Sequence, residues 1–437
     1  MCVRLSYHHR AQGNKMHTEF CSREDYISDL PESIIETILA KLPITEAVRT
    51  SVLSSKWRYK WTTLTELKFD DNCVSNTRYR ALAETSVVRF VNHFLLLHNG
   101  PINKFTLSSV CLRGSAYVDQ WLLLLSRKDV QELSFRLGQG EWFKAHSSLF
   151  SCKKLIGLEL VRCVLDPPLC FNGFPYLKNL YLQQVRIDPD AVETLISSCT
   201  LLERLTLSYF EGAKLTIRAP NLKYLMLEGE FKDICLENTP MLVVIFVAMY
   251  MTEDIAEHFK QSSSCNFDKV LGGVPSIQRL TGRSYFTKYM SLGIILGEIQ
   301  PIYQQLKVIE LSQVGFEDEK EIMVILRLIL SAPNLQVLQI RSSSLATNAV
   351  DLDIWDKECL RDVTFKQLKV VKLTQMSGLP HEMRFIEFLL GSSPVLEVMD
   401  ITQNVYVTIE NEDWFVETLG FERASTEVEF RFAEDQA

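Results

Sequence analysis

A short pattern recurs along most of this sequence and limits the folds that the chain can adopt. It consists of an apolar residue, two variable residues, a second apolar residue, one variable residue and a third apolar residue. Eleven copies lie between Ile102 and Ile401, mostly 20 to 33 residues apart, and APNLKYLML, APNLQVLQI and SPVLEVMDI are near-duplicates of one unit. The last two apolar positions of each copy would point to one side of an extended strand. One strand cannot bury that side alone, so the copies are predicted to stack on one another.

This L-x-x-L-x-L pattern is the leucine-rich-repeat signature, in which each copy adds a strand to a parallel sheet. Stretches with a helical apolar stripe lie between several copies, at residues 188–198, 318–330 and 381–390. Residues 252–300 interrupt the rhythm with only a weak copy at Ile277 and Leu280, which suggests an insertion. The sequence therefore predicts an α/β solenoid with an irregular segment near 252–300.

A different pattern occupies residues 25–64, where three short helices are predicted. Asp29 and Glu32 have the spacing of a capping box for the first helix, and Pro43 ends that helix. Thr45 is expected to cap the second helix, and Ser54 or Ser55 the third, which places Trp57 and Trp61 on one face. The first helix carries an apolar stripe formed by Ile34, Ile35, Ile38, Leu39 and Leu42.

Forty residues in three short helices cannot bury so many large apolar groups among themselves, which favours a docking face for a partner. Residues 41–60 carry five basic side chains against Glu46, a formal +4, so an acidic partner surface would suit them. Two alternatives stay open: an ordinary helical hairpin packed on the rest of the chain, and a DNA-binding helix-turn-helix. The third helix offers tryptophans and Lys or Arg rather than a recognition helix rich in Arg, Asn and Gln.

The order Leu30-Pro31, an Ile/Leu helix, Leu42-Pro43 and SVLSSKWRYKW resembles the F-box, particularly its plant form. Where many plant relatives have Lys-Arg before the tryptophan, this chain has Ser55-Lys56, which keeps a positive charge beside Trp57. The resemblance implies a non-catalytic chain that binds the Skp adaptor and, through it, the cullin and RING subunits of an SCF-type ubiquitin ligase. It places the adaptor-binding face at Leu30, Pro31, Ile34, Ile38, Pro43, Val48, Leu53 and Trp57.

The C-terminal part, with FKQLKVVKLTQMSG, a helix and SSPVLEVMDI, resembles the FBD region that follows such repeats in plant F-box proteins. The resemblance to the F-box/FBD/LRR-repeat family thus spans nearly the whole chain and is weakest at residues 65–100. It implies an N-terminal three-helix F-box, an irregular leucine-rich-repeat arc and a C-terminal FBD region. We expect a disordered tail at 1–22, the F-box at 23–64, the repeats at 65–360 and the FBD-like region at 361–437.

The variable residues that flank the second leucine of each copy are expected to point to the concave face, where a target protein would bind. Tyr and Arg are enriched among the side chains that dominate binding energy. The first candidates for target binding are therefore Tyr181, Arg204 and Tyr224. The identity of the target protein does not follow from the sequence.

Composition argues against several other classes of function. The formal net charge of -8 disfavours a chain that coats nucleic acid. The longest apolar run, residues 241–251, is far shorter than the about 20 residues that a bilayer demands. The 11 cysteines include no C-x-x-C pair, which disfavours a metal site or a disulfide framework. With no secretory signal and no N-x-Ser/Thr site, we expect an intracellular protein of the nucleus, the cytoplasm or both.

The motifs of an enzyme are also missing. His381-Glu382 is not followed by the second histidine of a zinc helix, and the sequence contains neither a phosphate-binding glycine loop nor a G-x-S-x-G elbow. We therefore expect no catalytic residue and no cofactor. The leading hypothesis is the substrate-recognition subunit of a ubiquitin ligase, and the alternative is a non-degradative interaction scaffold with an F-box-like module.

Overall fold

The computed structural model describes residues 26–27, 29–74, 80–112, 116–138, 142–253, 255–257, 265–293, 303–343, 353–356, 360–404 and 414–434. The expected disordered tail at 1–22 lies outside these residues. The chain forms two compact units, Met1–Leu64 and Thr65–Ala437.

The N-terminal unit is built on two α-helices, α1 at Glu32–Lys41 and α2 at Ile44–Arg49, followed by 3-10 helices at Thr50–Val52 and Lys60–Thr63. The third predicted helix is thus a turn and a short 3-10 helix rather than an α-helix. Pro31 and Pro43 occupy the N-cap positions of α1 and α2, with no side-chain cap hydrogen bond at either. The predicted caps at Asp29 and Thr45 are therefore wrong, because each proline already sets the extended backbone at which the helix begins.

The second unit is an α/β solenoid. Fifteen strands among the described residues form one sheet, and every pair in it is parallel. The strands are β1 Glu66–Asp70, β2 Lys104–Ser109, β3 Glu132–Leu137, β4 Phe143–Lys144, β5 Gly157–Val164, β6 Asn179–Arg186, β7 Arg204–Arg218, β8 Tyr224–Glu237, β9 Val244–Met249, β10 Arg279–Ser284, β11 Val308–Val314, β12 Val337–Ser342, β13 Val370–Met376, β14 Val398–Gln403 and β15 Glu429–Glu434. Apart from β4, each strand pairs with the next strand in chain order. Strand β4 pairs only with β5, which also pairs with β3.

Helices connect many of the strands and cover one face of the sheet. They are α3 Arg80–Leu97, α4 Ala116–Ser126, α5 Pro189–Ser198, α6 Asn266–Leu271, α7 Phe286–Met290, α8 Glu319–Leu330, α9 Pro380–Ser392 and α10 Trp414–Leu419. The three helical stretches predicted from the apolar stripe correspond to α5, α8 and α9. Asp188 and Asp318 cap α5 and α8 through their side chains.

The core lies between the sheet and these helices. Most strands alternate buried and partly exposed residues, so one face is sealed and the other, here called the open face, carries the variable positions. The second leucine positions of six adjacent strands form one row in register, and each is fully buried: Leu205, Leu225, Ile245, Leu280, Ile309 and Leu338. Burying a leucine contributes about 1.5–3 kcal/mol, so the row is a large part of what holds the stack together.

Six strands bend at the same register position, where a residue other than glycine adopts a positive φ. These residues are Arg162, Gln184, Tyr209, Ser284, Gln313 and Gln375, with φ between 50° and 63°. Only a few per cent of such residues adopt this conformation, so its recurrence shows that stacking imposes the bend. Three of the six bend residues are Gln, but Arg, Tyr and Ser also occupy the position, so no single residue type marks the bend in the sequence.

Residues 252–300, expected to be an insertion, contain part of the regular sheet. Strand β10 pairs with β9 on one side and β11 on the other, so the weak copy at Ile277 and Leu280 is a true repeat. Its third apolar position is Gly282, and the ring of Phe286 fills the space that a leucine would occupy. The pattern looked weak because the missing side chain comes from α7.

Strands β7 and β8 are much longer than the others. After the bend they pair again, from Phe210 opposite Gly229 to Arg218 opposite Glu237. In these two repeats a strand therefore takes the place that a helix occupies elsewhere. The L-x-x-L-x-L pattern covers only the first part of each strand and did not predict this second part.

Candidate interaction surfaces

The core of the N-terminal unit explains which of its apolar residues remain outside. Ile35 and Leu39 of α1 and Ala47 of α2 are buried together with Trp57 and Trp61 from the turn that follows. Residues one position before Ile35 and Leu39 lie about 100° around the helix and so point outward. The sequence is apolar around more of α1 than the unit can cover.

An exposed apolar surface is the result. Ile34 is 45% exposed, Leu53 55% and Val52 87%, although branched aliphatic side chains usually lie inside a folded protein. Of the residues predicted to contact an adaptor, Pro31, Ile34, Ile38, Pro43 and Leu53 are exposed, and Leu30 and Val48 are half-buried. Val52 was not among the predicted adaptor contacts, although it is the most exposed of these aliphatic side chains.

Trp57 does not belong to this surface. Its side chain is only 2% exposed, and its indole Nε1 donates a hydrogen bond to the carbonyl oxygen of Ile27 at 3.3 Å. The assignment of Trp57 to the adaptor face is therefore corrected to a position in the core. The helical spacing of Trp57 and Trp61 suggested a shared face, but the turn that replaces the third helix folds both rings inward.

Ion pairs within the unit use much of its positive charge. The Nζ of Lys56 lies 2.8 Å from Asp29 Oδ1, the Nζ of Lys60 pairs with Glu32, and Arg49 pairs with Glu46. The +4 counted over residues 41–60 is therefore reduced by two carboxylates, Asp29 and Glu32, that lie outside that stretch. The exposed surface is best described as apolar with a basic margin rather than as strongly basic.

On the open face of the sheet, the structure brings two of the three candidate target-binding residues together. Arg204 and Tyr224 are register partners on β7 and β8, and the guanidinium carbon of Arg204 lies 4.7 Å from the centroid of the Tyr224 ring. Tyr181 lies two residues further along, on β6, and its hydroxyl donates to Gln183 Oε1 at 2.7 Å. Burial raises the pKa of the Tyr181 hydroxyl, so it acts as a neutral hydrogen-bonding group.

A polar cluster beside these residues was not predicted. The hydroxyl of Tyr250 donates to Glu228 Oε1 at 2.5 Å, Ser208 donates to the other oxygen of Glu228, and the rings of Tyr209 and Tyr250 lie 6.0 Å apart. Ser208 and Glu228 directly follow the third leucine of their copies, beyond the positions that flank the second leucine. Tyr209 is itself one of the bend residues and Tyr250 follows the end of β9, so both lie where the L-x-x-L-x-L pattern carries no information.

A second unpredicted cluster, here called the basic patch, consists of Arg279, Arg283, Arg341 and Lys372. These side chains line a cavity of about 410 Å³ on the open face of β10 to β13, together with Glu310. The weak pattern of β10 hid its arginines, and the other two cations lie on strands far apart in the sequence. Register pairing brings these distant positions together.

The cysteines and acidic groups of the described residues show no arrangement that would hold a metal ion. Cys152, Cys163 and Cys199 are buried, and desolvation raises the pKa of the Cys163 thiol to about 12. A thiol with so high a pKa is unreactive near neutral pH. Among the described residues, no helix has both the length and the apolar character required to cross a bilayer.

A helical module with an exposed apolar surface and a parallel repeat sheet with a polar open face define a class of two-part interaction protein. Comparison with known proteins gives the family. A model described as FBD-associated F-box protein At5g56370, LRR repeats, matches residues 118–340, and an F-box domain model matches residues 27–69.

Relatives from Arabidopsis thaliana match across most of the chain. The F-box/FBD/LRR-repeat protein At1g13570 is 49% identical over 414 residues, which cover 94% of this chain and 99% of the relative. The F-box/FBD/LRR-repeat protein At5g56420 is 27% identical over 396 residues, covering 84% of this chain and 89% of the relative. The chain belongs to the F-box/FBD/LRR-repeat family, which confirms the resemblance found in the sequence.

Proposed function

We propose that this chain is the substrate-recognition subunit of an SCF-type cullin-RING E3 ubiquitin ligase. Proteins that join an F-box to leucine-rich repeats generally act as SCF substrate receptors, and this chain has both parts. In this proposal the F-box docks the Skp adaptor, which links it to the cullin and RING subunits. The open face of the repeats holds the target protein.

The observation that carries the proposal is the apolar surface of the N-terminal unit. Ile34, Ile38, Val52 and Leu53 remain at least one-third exposed, although the unit has a core of its own. Exposed aliphatic groups concentrated on so small a unit mark a protein interface. Leu30, Pro31, Pro43 and Val48 complete the proposed adaptor-binding face, and Trp57 supports it from beneath.

The proposed role requires no catalytic group on this chain. The RING subunit recruits the charged ubiquitin carrier, and the receptor holds a target lysine near it. Holding the two reactants together raises their effective concentration, which accelerates the transfer without new chemistry from the receptor. The chain is accordingly proposed to be a non-enzymatic subunit that needs no cofactor.

A pull-down with a purified Skp adaptor tests the docking face. The variant Ile34→Asp/Leu53→Asp places two carboxylates on the apolar surface and leaves the core residues Ile35, Leu39 and Trp57 unchanged. We expect adaptor binding to fall by more than about tenfold, because each charge must lose its water at the interface. The matched control is Leu96→Asp/Leu169→Asp, which introduces the same charges at exposed positions of the repeat unit.

The two variants and the wild-type chain give distinct outcomes. Binding that is lost only in the F-box variant supports both the docking face and the ligase role. Equal binding by both variants would overturn the docking face. If the wild-type chain itself does not bind, the ligase proposal fails, and the non-degradative scaffold becomes the better explanation.

Two further assignments belong to this proposal. We assign residues 361–437 to the FBD region and note that β13, β14 and β15 continue the repeat sheet in register. The FBD region would thus extend the sheet at its C-terminal end rather than form a separate body. A ligase subunit of this kind would act inside the cell, in the nucleus, the cytoplasm or both.

A further inference from the structure

We propose that the basic patch on the open face of β10 to β13 binds an acidic segment of the target protein, in which Asp or Glu side chains alternate with apolar ones. This inference rests on the proposed role as a target receptor and names the chemistry of the target. It places the main recognition site about four strands beyond Arg204 and Tyr224.

The basic patch is positively charged, although the chain as a whole carries a negative net charge. At the open-face positions of β10 to β13, four cations face one carboxylate, Glu310, a formal +3 on a protein of net charge -8. At the equivalent open-face positions of β1, β2, β3, β5 and β6, three cations (Lys68, Lys104 and Arg136) face four carboxylates (Glu66, Asp70, Glu132 and Glu159), a formal -1. Beyond the patch, Asp400 of β14 lies between Lys372 and Arg431 in register. A local positive potential inside an acidic protein favours a negatively charged partner at this place.

The three arginines are held in position by their neighbours. The Nη2 of Arg279 lies 2.5 Å from Glu310 Oε1, while Thr281 donates to the other oxygen of Glu310 at 3.0 Å. Arg341 Nε donates to Gln375 Oε1 at 2.9 Å, and the guanidinium carbon of Arg283 lies 5.3 Å from the centroid of the Phe246 ring. Side chains that are already ordered lose less entropy when a ligand binds. Glu310, in turn, has both oxygens engaged and offers little repulsion to an incoming carboxylate.

The distances between the cations indicate whether the ligand carries several carboxylates or a single phosphate group. Arg279 and Arg283 are four residues apart on β10, and Lys372 lies three strands away on β13. These separations correspond to about 13 Å along the strand and about 14 Å across the sheet. One phosphate group spans only a fraction of that distance, whereas an extended acidic segment places a side chain of the same sign about every 7 Å on one side. The geometry therefore fits a segment with several carboxylates.

A row of valines gives the segment an apolar counterpart. Val308, Val337 and Val370 are register partners at the first open-face position of β11, β12 and β13, in line with Arg279. All three are only half-buried, so their methyl groups form a strip along one side of the patch. A segment that lies across these strands can place apolar side chains on the strip and carboxylates toward Arg341 and Lys372. Purely acidic segments would leave the strip unused.

The test is a binding titration with a fluorescein-labelled peptide in which glutamate alternates with valine, followed by fluorescence anisotropy on the full chain. In the variant Arg283→Glu/Lys372→Glu we expect the dissociation constant to rise by about tenfold or more, with weaker binding at higher salt. The matched control, Lys104→Glu/Arg136→Glu, makes the same charge change on β2 and β3 and is expected to change it by about twofold or less.

Three further peptides complete the experiment: one with glutamine in place of glutamate, one with serine in place of valine, and one with a single phosphoserine. Weaker binding of the first two supports the proposal. Equal binding of the glutamine peptide, tighter binding of the phosphoserine peptide than of the glutamate peptide, equal loss in both variants, or no binding to the wild-type chain would each overturn it. Skp adaptor binding by the same variants reports separately on the F-box, so a failure of the ligase proposal would be distinguishable from a failure of this one.

Discussion

The two units of this chain bury their apolar residues to very different extents. In the repeat unit, the aliphatic residues of one strand cover those of the next, and the row from Leu205 to Leu338 is fully buried. The N-terminal unit leaves Ile34, Val52 and Leu53 in contact with water because so short a segment has too little chain to enclose them. The same kind of residue therefore stabilises the fold in one unit and is available for a partner in the other.

The exposed faces differ in the same way. The N-terminal unit presents aliphatic side chains, whereas the open face of the repeats presents charged, hydroxyl and aromatic groups with only a strip of valines. Interfaces with apolar centres are typical of lasting association, and more polar ones of partners that exchange. A receptor that stays on its ligase and releases its targets needs one surface of each kind. Four predictions test this contrast between the two units.

The largest effect is expected for Trp57→Ala, which tests whether Trp57 belongs to the core of the N-terminal unit and not to its exposed surface. Trp57 is 2% exposed, and truncating a buried tryptophan costs about 3–5 kcal/mol through the cavity it leaves. We expect this to unfold the N-terminal unit while the repeat sheet stays folded, which hydrogen exchange of peptides from residues 30–64 and 65–343 would show.

The matched control for Trp57→Ala is Ile38→Ala, at a position that is 37% exposed. Its expected cost is below about 1 kcal/mol, since little area is lost and no enclosed cavity forms. If both substitutions destabilise the unit equally, the distinction between buried Trp57 and exposed Ile38 is false. The docking surface would then have to be redrawn.

The second effect concerns buried carboxyl groups. Among the described residues, these occur only in the repeat unit. Glu321 accepts hydrogen bonds from Thr287 and from the backbone N–H of Gly315, and desolvation raises the pKa of its carboxyl from 4.5 to about 7. The folded chain therefore holds this proton more tightly than the unfolded chain. The resulting stability is fully present below pH 4.5 and is lost as the pH rises through 7, a change of about 3 kcal/mol.

Urea unfolding at several pH values between 5 and 8 tests the role of Glu321. The variant Glu321→Gln cannot ionise at this position, so its free energy of unfolding should fall less over this range than that of the wild-type chain. Glu382, whose pKa burial also raises, contributes in the same direction to both proteins and cancels in the difference. The control Glu317→Gln changes an exposed neighbour and should follow the wild-type curve. Parallel curves for Glu321→Gln and wild type would contradict the assignment.

Most of the sheet could be predicted because repeated local patterns carry it. Every copy of the L-x-x-L-x-L pattern identified in the sequence corresponds to a strand, and the helices α5, α8 and α9 follow from their apolar stripes. Strand β1 was missed, although Leu64, Leu67 and Phe69 fit the pattern, because no preceding copy gave it a rhythm. The long extensions of β7 and β8 depend on neighbouring strands and leave no local signal.

The candidate surfaces were harder to predict because they depend on contacts between distant residues. Helical spacing placed Ile34 and Ile38 on one face, which the structure shows to be exposed. The same reasoning failed for Trp57, since its helix is a turn. The basic patch joins residues up to 93 positions apart, Arg279 and Lys372, and only the register of four strands brings them together.

The third effect concerns close packing in the repeat core at Gly282, which stands at the third apolar position of its copy of the pattern. A Cβ placed on Gly282 would clash with Cδ1 of Phe286, so Gly282→Ala forces the buried ring to move. Such overpacking costs about 1–3 kcal/mol, and the double variant Gly282→Ala/Phe286→Leu should cost less than the sum of the single changes. In α9, Gly391→Ala meets no atom within 4 Å and should instead stabilise the chain by up to about 1 kcal/mol. Thermal unfolding of the four variants measures both, and additive effects of Gly282 and Phe286 would contradict the packing argument.

The smallest effect returns to the N-terminal unit and asks whether its ion pairs, rather than its core, hold it together. Lys60 pairs with Glu32 across the unit, with both side chains partly exposed. Exposed pairs contribute only about 0.2–1 kcal/mol, so Lys60→Met, which keeps most of the aliphatic stem, should lower the free energy of unfolding by no more than that. A double-mutant cycle with Glu32→Gln isolates the pair, and its coupling energy should shrink at high salt as screening increases. A coupling of several kcal/mol would show that electrostatics supplies a main part of this unit's stability. The N-terminal unit would then be held together mainly by charge. In that case its contrast with the repeat core would not arise from the shortness of the N-terminal segment.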